Sequence, residues 1–150
     1  YAPLGTEVSV TNTATVSGTG ITPVTAAETV NAEAAPNLAI TKSVSPVPVT
    51  ENGTLTYTFR IQNYGSVAAT NTTGVVITDT FAPVLNNLTA ALNGTAWTAA
   101  TDYTYNEATG TFSSTAGAIT VPAATYTQDS TTGAWVVTPG ESTLVITGTV

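Results

Sequence analysis

The sequence predicts an all-β fold, a β-sandwich, on three observations. Apolar and polar residues alternate along most of the chain, and a period of two is the pattern of a half-buried strand. Threonine accounts for 35 of the 150 residues, and this β-branched residue suits a pleated, half-wet surface. Glycine and proline interrupt the alternation at intervals of about 8 to 12 residues, which is typical of a sandwich.

The first 36 residues predict an arm rather than part of a core. Glu7 to Val16 alternates, with Val8, Val10, Ala14 and Val16 on one face. Residues 17–36 are rich in Ala, Thr, Gly and Glu, which favours a linker with one short strand near Ile21–Val24. The expected division is therefore a strand over 1–16, a linker over 17–36 and a sandwich over 37–150.

The sandwich segment contains a series of short alternating runs. The clearest is Thr54–Gln62, where Leu55, Tyr57, Phe59 and Ile61 face inward and Arg60 faces water. The other predicted strands are Leu38–Val44, Gly74–Phe81, Leu85–Leu92, Trp97–Tyr105, Ile119–Thr127, Ala134–Val137 and Thr143–Val150.

Composition excludes several classes of function. The net charge is −7, with only two basic residues in the chain. Such a chain cannot neutralise a run of phosphates, so we expect neither nucleic acid nor an anionic membrane as a partner. Cysteine and histidine are absent, which removes a disulfide framework, a thiol nucleophile, an imidazole base and the usual zinc ligands. We expect no cofactor and no metal.

Three polar residues fall on the apolar face of a predicted strand. The alternation places Lys42, the only lysine, beside Leu38, Ile40 and Val44. In the same way Asp79 shares a face with Val75, Ile77 and Phe81, and Asn12 shares one with Val8 and Val10. Burying an isolated charge is costly, so each of these groups needs a partner.

A lysine, an asparagine and a carboxylic acid that are buried together can form an isopeptide bond. Burial favours a neutral amine, which is a nucleophile, and a protonated acid, which can donate to the amide oxygen. Lys42 would then attack the side-chain carbonyl carbon of Asn12, ammonia would leave, and Asp79 would shuttle the proton. Such a bond would supply a covalent staple to a domain that lacks cysteine.

Each residue also has a purely structural interpretation. Lys42 suits an edge strand, where its ammonium group reaches water and discourages edge-to-edge pairing. Asp79 suits the capping of a turn before Phe81, and Asn12 suits hydrogen bonding to a backbone group at a bulge. Because matching types occur at inward positions of three strands, the residues alone support the crosslink and these separate roles equally, and both interpretations stay open.

Five blocks of the chain carry a resemblance to a known family: Asn37–Pro46, Thr54–Phe59, Val76–Phe81, Gly133–Gly140 and Leu144–Val150. They resemble successive parts of the conserved repeat of bacterial surface proteins known as "domain of unknown function 11". The resemblance covers residues 37–150. It implies an immunoglobulin-like sandwich, strung in tandem along secreted or wall-attached proteins of bacteria, and hence an extracellular location. Related surface families carry crosslinks between Lys and Asn beside an Asp or Glu, which supports the triad.

The N-terminal strand resembles the end of such a repeat rather than its beginning. Asn12–Val16 is similar to the closing strand that should follow Thr147–Val150, so the chain is phased as a circular permutation. Three assemblies would satisfy this phasing: the strand folds back into its own domain, it is donated to a neighbouring subunit, or the 150 residues are one period of a long tandem chain. We favour donation, because head-to-tail contacts that do not close produce a filament.

We therefore expect a structural subunit of an extracellular bacterial fibre or surface appendage, whose partner is a second copy of itself. It would not be an enzyme beyond a single autocatalytic crosslinking event, because its nine acidic residues are scattered and carboxylate catalysis needs two that converge. The alternative is an adhesion module that binds a glycan or a host protein through loops bearing Trp97, Tyr103, Tyr105 and Trp135.

Overall fold

The described part of the chain consists of antiparallel strands. The computed structural model describes residues 8–32 and 34–150, and within them there are twelve strands and one turn of 3-10 helix, Asn71–Thr73. The strands are β1 (Val8–Gly18), β2 (Ile21–Ala32), β3 (Leu38–Ser45), β4 (Thr54–Asn63), β5 (Thr78–Thr80), β6 (Asn86–Leu92), β7 (Thr95–Ala96), β8 (Tyr103–Asn106), β9 (Thr111–Ser114), β10 (Thr125–Gln128), β11 (Trp135–Thr138) and β12 (Gly140–Thr149). The predicted all-β fold is confirmed.

Two sheets of unequal size form the sandwich. The larger has five strands in the order β3-β4-β12-β6-β7, and the smaller has three in the order β5-β9-β8. β1 pairs with β2, and β10 with β11, as separate two-stranded hairpins. The three-stranded sheet is thus two strands narrower than the sheet it faces.

One hydrophobic core joins the inner faces of the two sheets. β4 contributes every second residue, from Leu55 through Phe59 to Ile61, and its neighbour β12 contributes Leu144 and Ile146. The smaller sheet and its flanks supply mostly aromatic rings. The ring of Phe81 lies 4.7 Å from that of Tyr57 and 6.2 Å from that of Phe112, centroid to centroid. Alternation on β4 and β12 therefore predicted the core correctly on the larger sheet.

Residues 17–36 differ from the linker that the sequence predicts. At Gly20, whose φ is 76°, the chain reverses, and β2 then pairs with β1 along its length. Glycine adopts this left-handed conformation without strain, and the threonines on alternate positions favour a strand. We call the hairpin of residues 8–32 the arm. The strand predicted over 1–16 is described from Val8 and extends to Gly18, while residues 1–7 lie outside the described residues.

Several strands between 85 and 138 also differ from prediction. The run predicted over Trp97–Tyr105 is reduced to β8, and the run over Ile119–Thr127 begins only at β10. β9 was not predicted, because its four residues contain one apolar side chain, Phe112. Such short strands depend on their neighbours for pairing, and alternation over two or three residues carries little signal.

A buried asparagine fixes the point where the arm meets the sandwich. Asn63, which is fully buried, accepts hydrogen bonds from the backbone N–H groups of Asn37 and Gly65, both at 2.9 Å. Its amide nitrogen donates to the carbonyl oxygens of Val67 and Pro122, at 2.8 and 3.0 Å. Residues 35–37, which we call the root, pack so closely on Gly65 that a Cβ atom there would lie 2.1 Å from the carbonyl oxygen of Ala35.

We predict that Asn63→Ala lowers the free energy of unfolding by about 3 kcal/mol, because it leaves buried backbone groups without partners. Urea unfolding followed by tryptophan fluorescence measures the change. Asn86→Ala, at an exposed position of β6, is the matched control and should stay within about 0.5 kcal/mol of the parent. Equal effects of the two substitutions would contradict the structural role of Asn63.

Candidate functional site

The core-facing side of β3 is left uncovered. In the antiparallel pairing with β4, Leu38, Ile40, Lys42 and Val44 lie opposite buried residues of that strand, and directly opposed residues share one face of a sheet. Yet the aliphatic members of this row are exposed, Leu38 by 38%, Ile40 by 53% and Val44 by 39%. Their exposure follows from the narrower sheet, which stops short of β3.

The missing cover leaves an apolar groove of about 160 Å³ between the two sheets. Leu38 and Ile40 form one wall, Ile61 lies on the larger sheet beside them, and Val75 and Ile77 form the other wall. Among the described strands, β3 pairs only with β4 and β5 only with β9. The edge of β3 borders the groove on one side, and residues 75–77, which lead directly into β5, border it on the other. A strand edge with one paired side has hydrogen-bonding groups to offer.

An ion pair lies at the end of the groove, two residues beyond Ile40 on one wall and two beyond Ile77 on the other. Lys42 Nζ is 2.5 Å from Asp79 Oδ2, and the other carboxylate oxygen of Asp79 accepts a hydrogen bond from the backbone N–H of Thr80 at 2.9 Å. Asp79 faces inward because it lies opposite the buried Phe112. The side chains remain 39% and 18% exposed, so water still reaches the pair.

Aromatic rings surround the amine on its inner side. Lys42 Nζ lies 4.8 Å from the ring centroid of Tyr57, 5.5 Å from that of Phe59 and 5.3 Å from that of Phe81. Rings at this distance attract an ammonium group through their negative faces. They also make the inner side of the site apolar, so the amine would lose its remaining water if a further strand covered the groove.

The third predicted residue, Asn12, lies on the arm and not beside Lys42. It is exposed, and its register partner on β2 is Glu28. The arm has an apolar face, formed by Val10, Ala14 and Val16 of β1 together with Val24, Ala26 and Val30 of β2. Asn12 and Glu28 lie opposite each other in the middle of that face.

The structure thus brings together two of the three predicted residues. Lys42 and Asp79 lie in contact, as their inward positions on the two strands predicted. The structural interpretation also agrees with the structure, because Lys42 lies on an edge strand and Asp79 accepts a hydrogen bond from the backbone. Sequence reasoning missed Glu28. Its placement depends on β2 being recognised as a strand and on the register shift between Val16 and Gly18, because the turn at Gly20 alone would pair position 12 with position 27.

Two acids with a lowered pKa lie at the surface, away from the groove. A hydrogen bond from Arg60 lowers the pKa of Glu141 on the outer face of the larger sheet. Backbone N–H groups of Thr132 and Thr131 lower the pKa of Asp129 in the turn between β10 and β11. In the described part of the chain no three acidic side chains converge as a cation site.

The four aromatic residues considered for an adhesion surface do not form one platform. Tyr103 is buried, and Trp97 and Tyr105 pack against the core. Trp135 is exposed on the separate β10–β11 hairpin. The predicted platform is thus divided between the core and one protruding hairpin.

We predict that Ile40 contributes little to the stability of a single subunit although it lies next to the core. Ile40→Ala should cost less than about 1 kcal/mol, because the side chain is already half exposed, whereas Ile61→Ala, opposite it on β4, should cost about 3 kcal/mol. Urea unfolding at a subunit concentration too low for assembly measures both. Equal losses would mean that the groove is closed in solution.

No family model, curated protein or solved structure matches this chain. The resemblance to the bacterial surface repeat therefore stays a prediction. Across residues 8–32 and 34–150 there is also no helix with the length and apolar character needed to cross a bilayer.

Proposed function

We propose that this chain is a structural subunit of an extracellular bacterial surface fibre. Each subunit donates its arm to the groove of the next, and an isopeptide bond between Asn12 of the donor and Lys42 of the recipient joins them. A single observation carries the proposal: the same chain contains two complementary surfaces. One is the uncovered core face of β3, which ends at the amine of Lys42. The other is the exposed strand β1, which has the same alternation of apolar residues and carries the amide of Asn12.

The two surfaces match residue by residue. On β3 the uncovered face reads Ile40, Lys42, Val44, and on β1 the apolar face reads Val10, Asn12, Ala14. In either strand direction, a register that aligns the polar residues also aligns the apolar ones. Small side chains on the arm against larger ones in the groove suit a confined space, as close packing requires.

Strand addition would satisfy the backbone as well as the side chains. The edge of β3 and the segment that leads into β5 border the groove, and an inserted strand gains main-chain hydrogen bonds from whichever edge it joins. An apolar edge left open promotes uncontrolled aggregation. A specific occupant of the groove removes that hazard and makes assembly orderly.

The root favours a neighbour as the donor. Hydrogen bonds to Asn63 and close packing on Gly65 hold residues 35–37, so only residues 33 and 34 separate the root from the end of β2. Every residue of the arm from Ser9 to Asn31 is exposed, which is the state of an arm directed away from its own domain. Contacts of this head-to-tail kind continue as a filament when they do not close into a ring.

The chemistry needs no turnover and no cofactor. The neutral amine of Lys42 attacks the side-chain carbonyl carbon of Asn12, the Nζ–Cγ bond forms, the Cγ–Nδ2 bond breaks, and ammonia leaves. Asp79, in contact with Nζ, accepts the proton that frees the amine, and after the attack a second proton passes from Nζ through the same carboxyl group to the departing Nδ2. Insertion of the arm excludes water and holds the amine of Lys42 next to the amide of Asn12. The two groups then react at a high effective concentration.

The extracellular location rests on the resemblance and on composition. The family that the chain resembles occurs on bacterial surfaces, where a covalent staple other than a disulfide is useful. The surface is rich in threonine and poor in charge, so that many copies can pack side by side with little repulsion.

Denaturing electrophoresis of boiled material, with intact mass, tests the proposal. We expect a ladder at multiples of 15.1 kDa, with about 17 Da, one ammonia, lost at each junction. Lys42→Ala and Asn12→Ala should each abolish the ladder. Arg60→Ala, which removes the only other cation, and Asn31→Ala, on the opposite face of the arm, are the matched controls and should keep it.

Mixing the two inactive variants separates bonds between subunits from bonds within one. The Lys42→Ala subunit still donates Asn12, and the Asn12→Ala subunit still offers Lys42, so a mixture refolded from urea should yield a covalent dimer and no higher species. A single unladdered band that is lighter by about 17 Da in the parent would place the bond within one chain. A band at full mass would contradict the crosslink altogether.

Adhesion is the second candidate, and one observation favours it. Trp135, Val136 and Val137 are exposed together on β11, and aromatic groups on a protruding hairpin suit binding to a glycan or a protein. If the hairpin is adhesive, Trp135→Ala should reduce attachment of fibres to host cells or glycan arrays at least tenfold without changing the ladder. Unchanged attachment would remove adhesion through this hairpin.

A further inference from the structure

We infer that Glu28 is a second catalytic carboxyl group of the crosslink and that the donor arm brings it together with Asn12. Asp79 of the recipient would accept a proton from Lys42, and Glu28 of the donor would protonate the leaving amide nitrogen of Asn12. This inference rests on the proposed function. The sequence alone assigns all proton transfers to Asp79, whereas here they are shared between Asp79 and Glu28.

The register of the arm carries the inference. Asn12 and Glu28 are direct cross-strand partners, and such partners have Cβ atoms about 5 Å apart with side chains on the same face. The remaining cross-strand pairs of that face, from Val10–Val30 to Val16–Val24, are valine or alanine on both strands. Glu28 is also the one acidic residue in the described part of the arm.

An acid at this place calls for an explanation. A carboxylate in the middle of an apolar face is costly once that face is buried, unless it meets a partner or takes up a proton. On the opposite, polar face of the arm the glutamate would cost nothing, since that face carries the hydrogen-bonded pairs Ser9–Asn31 and Thr11–Thr29. Because Glu28 lies on the apolar face beside Asn12, any surface that covers Asn12 also covers Glu28.

Docking brings the two carboxyl groups to opposite sides of the reacting amide. Since the arm enters as a hairpin, β1 joins the edge of either β3 or β5, and β2 follows on the far side. In both cases Asn12 lies next to the Lys42–Asp79 pair, and Glu28 flanks the carboxamide from the side away from it. One group is then close to the amine and the other close to the leaving nitrogen.

The proton transfers balance with these two acids. The scheme starts from the ammonium of Lys42, the carboxylate of Asp79 and the carboxylic acid form of Glu28. Asp79 takes one proton from Nζ, and the amine attacks Cγ of Asn12. Glu28 gives its proton to Nδ2, takes a second proton from Nζ, and ammonia leaves. The products are a neutral amide, neutral ammonia and two neutral acids.

The test uses the mixture of Lys42→Ala donor and Asn12→Ala recipient, with the rate of covalent dimer formation measured over a range of donor concentrations. Glu28→Gln placed in the donor should lower the rate at saturating donor by about 100-fold, the usual scale of one general acid. The same substitution in the recipient should change nothing. Asp79→Asn should show the reverse pattern, with a loss in the recipient and none in the donor.

A purely structural role for Glu28 would be visible in the same data. If the side chain only helps the arm to dock, Glu28→Gln changes the half-saturating concentration and leaves the saturating rate unchanged, which overturns the inference. Glu28→Asp should retain part of the saturating rate, because the acid is kept. Glu107→Gln, at an exposed site outside the arm and the groove, is the matched control for loss of one negative charge.

The outcomes also separate this inference from the proposed function. A dimer in the parent mixture with an unaffected Glu28→Gln donor supports strand donation and overturns the role of Glu28. A loss of rate from Glu28→Gln in the recipient would overturn it too. No dimer in any mixture would overturn the proposed function and this inference together.

Discussion

The unequal width of the two sheets is the constraint on which the rest of the structure depends. Five strands face three, so the outermost strand, β3, presents aliphatic side chains that have nothing to pack on within the described chain. Full burial of one such side chain is worth about 1.5–3 kcal/mol, and the row on β3 contains three. A two-stranded hairpin alone is marginally stable in water, and the arm is one, with its own apolar face exposed. Each surface supplies what the other lacks, and an arm that joined the edge of β5 would make five strands facing five.

The charge at the end of the groove would link docking to bond formation in the proposed assembly. The Lys42–Asp79 pair is tolerated in the single subunit because water and aromatic rings share the solvation of the amine. A strand that covered the groove would remove the water, and burying an ion pair costs several kcal/mol before its attraction is counted. Conversion of the ammonium to an amide and of the Asp79 carboxylate to an acid would remove that cost. The same burial that makes the ion pair unfavourable would therefore drive the proposed reaction that eliminates it.

The sequence predicted the inner faces of individual strands well and their partners poorly. Lys42 and Asp79 were placed inward because each lies in a run where every second residue is large and aliphatic, and one-residue errors in such a run would expose all of it. β2 was missed because Ala27 on its polar face and Ala26 on its apolar face weaken the alternation. The meeting of β3 with the 75–80 segment depends on contacts 37 residues apart, which no local pattern contains.

The register of the arm decides whether an amide and an acid face each other. The turn at Gly20 is followed by a register shift, a β-bulge, between Val16 and Gly18, and pairing then continues without interruption to the end of the arm. Without that bulge Glu28 would lie on the threonine face and would no longer be the partner of Asn12, because side chains alternate along a strand. Pairing an amide with an acid therefore does not require the two residues to be close in sequence. It requires a turn of fixed length, at which glycine adopts the positive φ, together with the bulge beside that turn.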